Sequence, residues 1–153
     1  MTFYPNNPSM PIQTDRLVLR PIQVEDAPII FDAVVESWAE LSKWQIWALK
    51  SRDKLSVSDY EDFCRKKHGL YSDHKDITLL AFDKASQKLV GSCALQQPNW
   101  EDRSFYLGYW LRTSETGKGY ATEIARDLSR YAFEELKAQT IKSFHKMSCK
   151  HFV

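Results

Sequence analysis

From Ser104 to Leu111 the chain alternates, with Phe105, Leu107, Tyr109 and Leu111 on one side and Tyr106, Gly108 and Trp110 on the other. Apolar residues on both sides at period two predict a strand buried to some degree on both faces. A polar stretch from Thr113 to Lys118 follows, containing Gly117 and succeeded by Gly119. From Tyr120 the period changes. Tyr120/Ala121, Ile124/Ala125, Leu128, Tyr131/Ala132 and Leu136 recur at helical spacing. They predict a helix with one face on a core, and Arg126, Asp127, Arg130, Glu134 and Lys137 mostly on its outer side.

The same reading extends to the rest of the chain. Residues 1–11, with Pro5, Pro8 and Pro11, read as a flexible lead-in, and residues 12–153 as one domain. Arg16 to Arg20 alternates as a first strand that Pro21 ends. Glu25 and Asp26 then open a helix whose buried stripe is Ile29/Ile30, Ala33/Val34 and Trp38. Trp38, Leu41, Trp44 and Trp47 make an aromatic segment, as suited to core packing as to a binding wall. Ser56, Ser58 and Asp59 are helix-start residues ahead of the apolar edge Tyr60, Phe63 and Cys64. The basic run Arg65 to His68 reads as a solvated face. Ile77 to Phe82 and Leu89 to Leu95 predict two strands joined by the polar turn Asp83 to Lys88. The fold class is α/β (α+β): a mixed, mostly antiparallel sheet flanked by helices.

Bulk properties narrow the possibilities. At 153 residues, with 43% hydrophobic and 27% charged positions, the chain can bury a real core and is not disordered by composition. A formal net charge of +1 gives no broad attraction for nucleic acid or an anionic membrane. No apolar run is long enough to span a bilayer, and Met1 to Pro11 has no signal core. Cys64, Cys93 and Cys149 are scattered without a CxxC pair, which predicts reduced thiols in a cytoplasmic protein. His68, His74, His145 and His151 have no ligand spacing, so no metal is expected.

A strand, a glycine loop and a helix start form a physical device for anions. The first helical turn carries unpaired N–H groups and the positive end of the dipole, and glycine lets the backbone approach a phosphate closely. Thr116-Gly117-Lys118-Gly119-Tyr120-Ala121 therefore reads either as a phosphate cradle or as an ordinary strand-to-helix connection. It is not a Walker A loop, because Arg112 stands at the required first glycine and Gly119 where Ser or Thr should follow Lys118. Nor is it a Rossmann fingerprint, since Thr122 holds the third glycine position.

Gly108-Tyr109-Trp110-Leu111 followed by Thr116 to Glu123 resembles the acetyl-CoA-binding core of the GCN5-related N-acetyltransferases, in their RimJ/RimL branch, which acetylates the N-termini of ribosomal proteins. The signature Gln/Arg-x-x-Gly-x-Gly/Ala is met at Gly119 and Ala121, while Thr116 replaces the Gln or Arg. Thr14 to Pro21, with Glu25-Asp26-Ala27, resembles the opening of the same branch, and the likeness spans roughly residues 12–142. The resemblance implies an N-acetyltransferase that uses acetyl-CoA as cosubstrate, with an amine acceptor such as a protein N-terminus. It implies that backbone groups of Tyr109, Trp110 and Leu111 hold the pantetheine arm and polarise the thioester. The loop Thr116, Gly117, Lys118, Gly119, Tyr120, Ala121 and Thr122 would take the pyrophosphate. Trp44 and Trp47 would wall the acceptor side. Tyr106 stands where some relatives carry a Glu, and is the candidate catalytic residue. Gly108 is placed for a bulge that parts this strand from the next.

The resembled family continues beyond the strand expected at Thr140 to Phe144 with Asn-x-x-Ser, another helix and two strands, which His145 to Val153 does not match. The expectation is a sheet short of its C-terminal strands and helix, completed by a second copy or by an exchanged C-terminal segment. A catalytically degenerate CoA-binding or protein-interaction module is the alternative function, and a different nucleotide-binding enzyme a third.

Overall fold

The computed structural model describes residues 10–44 and 55–143, the side chains of residues 42–44 excepted. Within them, strand β1 (Ile12–Gln13) and β2 (Leu17–Pro21) lead through a 3-10 turn (Val24–Asp26) into α1 (Ala27–Glu36) and α2 (Trp38–Trp44). Helix α3 (Val57–Ser72), β3 (Ile77–Asp83), β4 (Leu89–Asn99) and β5 (Ser104–Leu111) follow. A second 3-10 turn (Thr113–Glu115), α4 (Tyr120–Glu134) and β6 (Thr140–Ser143) complete the order. The strands form one sheet in sequence order, antiparallel from β1 to β5, with β6 parallel to β5.

Local chemistry accounts for the element boundaries. Ser56 caps α3 by accepting from the Asp59 N–H at 3.2 Å, and Asp59 returns the bond by accepting from the Ser56 N–H at 3.1 Å. Asp83 Oδ1 accepts from the N–H groups of Ala85 and Ser86, both at 2.9 Å, and shapes the β3–β4 turn. Asp26 lies in the 3-10 turn rather than in α1, buried, and receives both guanidinium arms of Arg20 at 2.7 and 2.9 Å.

The sheet divides the core in two. Leu17, Leu19, Leu79, Leu95, Phe105 and Leu107 face α4, where Ile124, Leu128 and Tyr131 cover them. Ile22, Leu80, Ala94 and Trp110 face the other way, against Ile30 and Val34 of α1 and Tyr60 and Cys64 of α3. Strand β5 feeds both, which is why it reads as apolar on both sides; each fully buried Leu, Ile or Phe contributes about 1.5–3 kcal/mol. Gly91 is required by the close approach of β4 to β5, since a Cβ there would lie 2.2 Å from the Trp110 carbonyl oxygen.

Several expectations need correction. Ile29 is 40% exposed, and Trp38 opens a separate helix, half-buried. Lys67 is not part of a solvated basic face: it is buried, with Nζ 2.6 Å from Asp76 Oδ2. Asp127 also turns inward, 7% exposed, beneath Arg126 and Arg130. Gly108 carries no bulge towards β4, since pairing runs unbroken from Gly91↔Leu111 to Gln96↔Tyr106. The irregularity falls on β4, between Gln96 and Asn99.

Candidate functional site

All parts of the loop region gather at one end of the sheet, where β5 stops, β4 starts and β3 turns. Gly119 occupies the N-cap of α4 with φ +83°, and Gly117 has φ +76°. These are left-handed values that other residues adopt at a cost. The N–H groups from Gly117 to Thr122 donate to no described residue, and the first helical bond is Glu123 N–H to the Gly119 carbonyl at 3.2 Å. A run of N–H groups left without acceptors at the positive end of a 15-residue helix can hold a diphosphate. Thr116 contributes no side-chain donor there: its hydroxyl donates back to the Thr113 carbonyl at 2.9 Å.

The loop is braced from three directions. Glu115 is buried, with Oε2 2.9 Å from Lys118 Nζ and Oε1 3.1 Å from Lys88 Nζ. The hydrogen bond from Lys118 holds its carboxyl below the usual range against the opposing effect of burial, and Lys88 adds to it. From α1, Glu36 accepts from the Ser114 N–H at 3.0 Å, and the Ser37 hydroxyl oxygen accepts from the Thr113 N–H at 2.8 Å. From just before β2, Arg16 donates to the Lys118 carbonyl at 2.9 Å and to Glu123 Oε1 at 2.7 Å, with its guanidinium 4.3 Å over the Tyr120 ring.

Glu123 is the hub of this last brace. Its second oxygen accepts from the Arg16 N–H at 2.8 Å and from the Thr14 hydroxyl. Burial pushes its carboxyl up, but the Thr14 hydroxyl, the Arg16 N–H and the guanidinium outweigh that and hold it below the usual range. Tyr120 is buried and donates its hydroxyl to Asp83 Oδ2 at 2.8 Å, which pushes the phenol up; burial adds to the shift. Its ring is thus a prop under Arg16 rather than a free contact.

The neighbouring stretch of β5 is open to a different use. Its pairing with β6 covers Ser104 to Leu107 among the described residues. Side chains of Tyr109 and Leu111 pack towards α4, and that of Trp110 towards α1 and α3, which leaves backbone groups as what this edge can offer an extended ligand arm. Tyr106 is half-buried on the Trp110 face, opposite Gln96 and Lys142, with Lys142 Nζ 5.3 Å from its ring centre.

The fold thus brings Tyr106, Tyr109–Leu111 and Thr116–Thr122 onto one strand–loop–helix unit. Trp44 ends α2, its side chain outside the description, and Trp47 lies outside the described residues. Cys64 and Cys93 are buried and burial pushes both thiols up to about 12, so neither is a ready nucleophile. Among the described residues no group of His, Cys, Asp and Glu is placed to hold a metal ion, and no helix is long and apolar enough to cross a membrane. Sequence reasoning missed Glu36, Lys88, Glu115 and the joining of Arg16 to Glu123; their only sequence signal was that the two ends of the chain each carried a motif.

A family model described as an acetyltransferase (GNAT) domain matches residues 16–148. YdaF of Bacillus subtilis (strain 168), provisionally named a ribosomal N-acetyltransferase, is 27% identical over 130 residues, covering 83% of this chain and 67% of its own. A Vibrio cholerae protein provisionally named a ribosomal-protein-serine acetyltransferase superposes with a TM-score of 0.77 at 24% identity, covering 89% of this chain and 74% of its own. Mycobacterium smegmatis RimJ, solved with a CoA disulfide, gives 0.76 at 19% identity, covering 92% and 69%.

Proposed function

The chain belongs to the GNAT acetyltransferase domain family, and on that premise we propose that it transfers the acetyl group of acetyl-CoA to an amine, with a protein N-terminus as the acceptor. The observation that carries the site assignment is the run of N–H groups from Gly117 to Thr122, at the start of α4, that donate to no described residue. A diphosphate would sit against them, with Lys118 and Lys88 beside it, and the pantetheine arm would extend along the backbone of Tyr109, Trp110 and Leu111. The acyl carbon then leaves sulfur for nitrogen: a C–S bond breaks, a C–N bond forms, and the amine loses a proton while the thiolate gains one.

Three requirements follow from that chemistry: a neutral amine, donors for the oxyanion and a proton for the leaving thiolate. Backbone N–H groups at the β5 edge suit the second. Tyr106 is placed to orient the acceptor by a hydrogen bond, a phenol being too weak a base near neutral pH to deprotonate it outright. The ribosomal name of YdaF supports a protein N-terminus over a small amine. The β6 edge, with Thr140, Lys142 and Ser143 exposed, is where a second copy would extend the sheet. Light scattering at micromolar concentration tests that partner, and a strict monomer would remove it.

Calorimetric titration with acetyl-CoA, run beside Gly119→Asp, tests the site. The substitution puts a side chain and a negative charge at a position with φ +83°, so a folded variant is expected to lose binding. Equal binding by both would move the cofactor elsewhere. Turnover against a panel of amines and N-terminal peptides then separates an active enzyme from a module that only binds CoA.

A further inference from the structure

We infer that Arg16 is a positioning residue for the anion-binding loop: it neutralises a carboxylate at the mouth of the cradle and fixes the loop with its N–H groups outward. The inference rests on reading Gly117–Thr122 as the diphosphate site. Its starting point is a conflict inside the first turn of α4. An acidic residue there stabilises the helix through the dipole, yet it opposes a diphosphate drawn to the same end. Glu123 is such a residue, buried, and it keeps its negative charge because three donors surround it.

Arg16 resolves the conflict through geometry that a lysine cannot reproduce. Its Nε meets Glu123 Oε1 at 2.7 Å while another arm of the same plane donates to the Lys118 carbonyl at 2.9 Å. The face of that plane lies 4.3 Å from the Tyr120 ring centre. A fork that pairs, donates and stacks at once belongs to guanidinium alone. Tying down the Lys118 carbonyl sets the peptide between Lys118 and Gly119, and with it the direction of the Gly119 N–H. The Arg16 side chain remains 44% exposed, so the positive charge stays at the open mouth instead of being sealed under the helix. Thr14 and the Arg16 N–H hold the other carboxylate oxygen, which keeps Glu123 turned towards β2 and away from the loop.

A simple clip between β2 and α4 would use the same contacts, and its loss would lower stability without favouring one ligand. The positioning role predicts something narrower. Calorimetry with CoA at low salt would compare the unsubstituted protein with Arg16→Gln, Arg16→Lys and Arg16→Gln/Glu123→Gln, each first checked for cooperative melting. Arg16→Gln is expected to weaken CoA binding roughly tenfold, the scale of an uncompensated charge at a helix terminus. The KM for acetyl-CoA should rise in step, with kcat and the KM for the amine little changed. Arg16→Lys should recover only part of the loss. Adding Glu123→Gln to Arg16→Gln should recover the part of it due to the offending charge, while the lost tie to the Lys118 carbonyl keeps binding below that of the unsubstituted protein.

Binding by Arg16→Gln equal to that of the unsubstituted protein would overturn the role, as would a double variant no better than the single. If Arg16→Gln does not fold, Glu123→Gln alone decides: it frees the Arg16 charge and should tighten CoA binding several-fold at low salt, whereas unchanged or weaker binding overturns the inference. No CoA binding by the unsubstituted protein overturns both this role and the site itself. Binding that Gly119→Asp abolishes and Arg16→Gln leaves intact overturns the role of Arg16 alone.

Discussion

Lys67 and Asp76 form a polar contact sealed from solvent, with side chains only 2% and 8% exposed and Nζ 2.6 Å from Oδ2. The Thr78 hydroxyl donates to the same oxygen at 3.0 Å, while Asp76 Oδ1 is buried without a hydrogen-bond partner among the described residues. Removing one charge strands the other in an apolar setting, which costs about 3–5 kcal/mol. Lys67→Met is therefore expected to lower the denaturation midpoint sharply, and Lys67→Met/Asp76→Leu to recover most of that loss. A single variant as stable as the parent would show that water reaches the pair. In the sequence Lys67 sits between Lys66 and His68, and nothing in that run distinguishes the one lysine that turns inward. The direction is set by helical phase: Tyr60, Cys64 and Lys67 fall on one face of α3, and the partner lies beyond the helix, at the entry to β3.

At the scale of elements, the start of α4 and the loop before it depend on carboxylates held in their charged form. Glu123 and Glu115 both have folded-state pKa values below the ordinary 4.5. A group depressed on folding contributes stability that is complete above its unfolded value and lost as pH falls through its folded one. The melting temperature is thus expected to stay level from neutral pH to about 5 and to decline below about 4.5, with Glu123→Gln flattening the decline. A melting temperature that rises on acidification would contradict the assignment. The helix itself is legible from its apolar stripe, which begins at Tyr120, and it spans Tyr120–Glu134 in the structure. Asp127 is harder to place. Periodicity sorts residues by polarity, so a buried acid on the inner flank reads as solvent-facing until its arginine partners are seen in space.

For the whole molecule, the alternation along β5 and the stripe along α4 locate the sheet and one of its covering layers, and the glycine spacing marks the loop between them. The hairpin expected at Ile77 to Phe82 and Leu89 to Leu95 is present as Ile77–Asp83 and Leu89–Asn99, its second strand running on past Leu95. What lies beyond such reading is every contact that closes over long separation: Arg16 to Glu123 spans 107 positions, and Ser114 to Glu36 spans 78. Such pairings depend on which strand ends meet at one rim of the sheet, a property of topology and register that no local window contains. Trp44 and Trp47 stand out by composition and by resemblance, and their side chains lie outside what the structure describes.

The N–H groups between Gly117 and Thr122, donating to no described residue, also make the loop its own reporter. Amide protons without an acceptor exchange with deuterated solvent quickly, even though the neighbouring strands and the body of α4 exchange slowly through their ladders. An anion seated on them would slow those few positions and leave the rest of the exchange map almost untouched. Occupancy could then be read peptide by peptide with CoA, in the absence of any acceptor amine and before turnover is ever assayed.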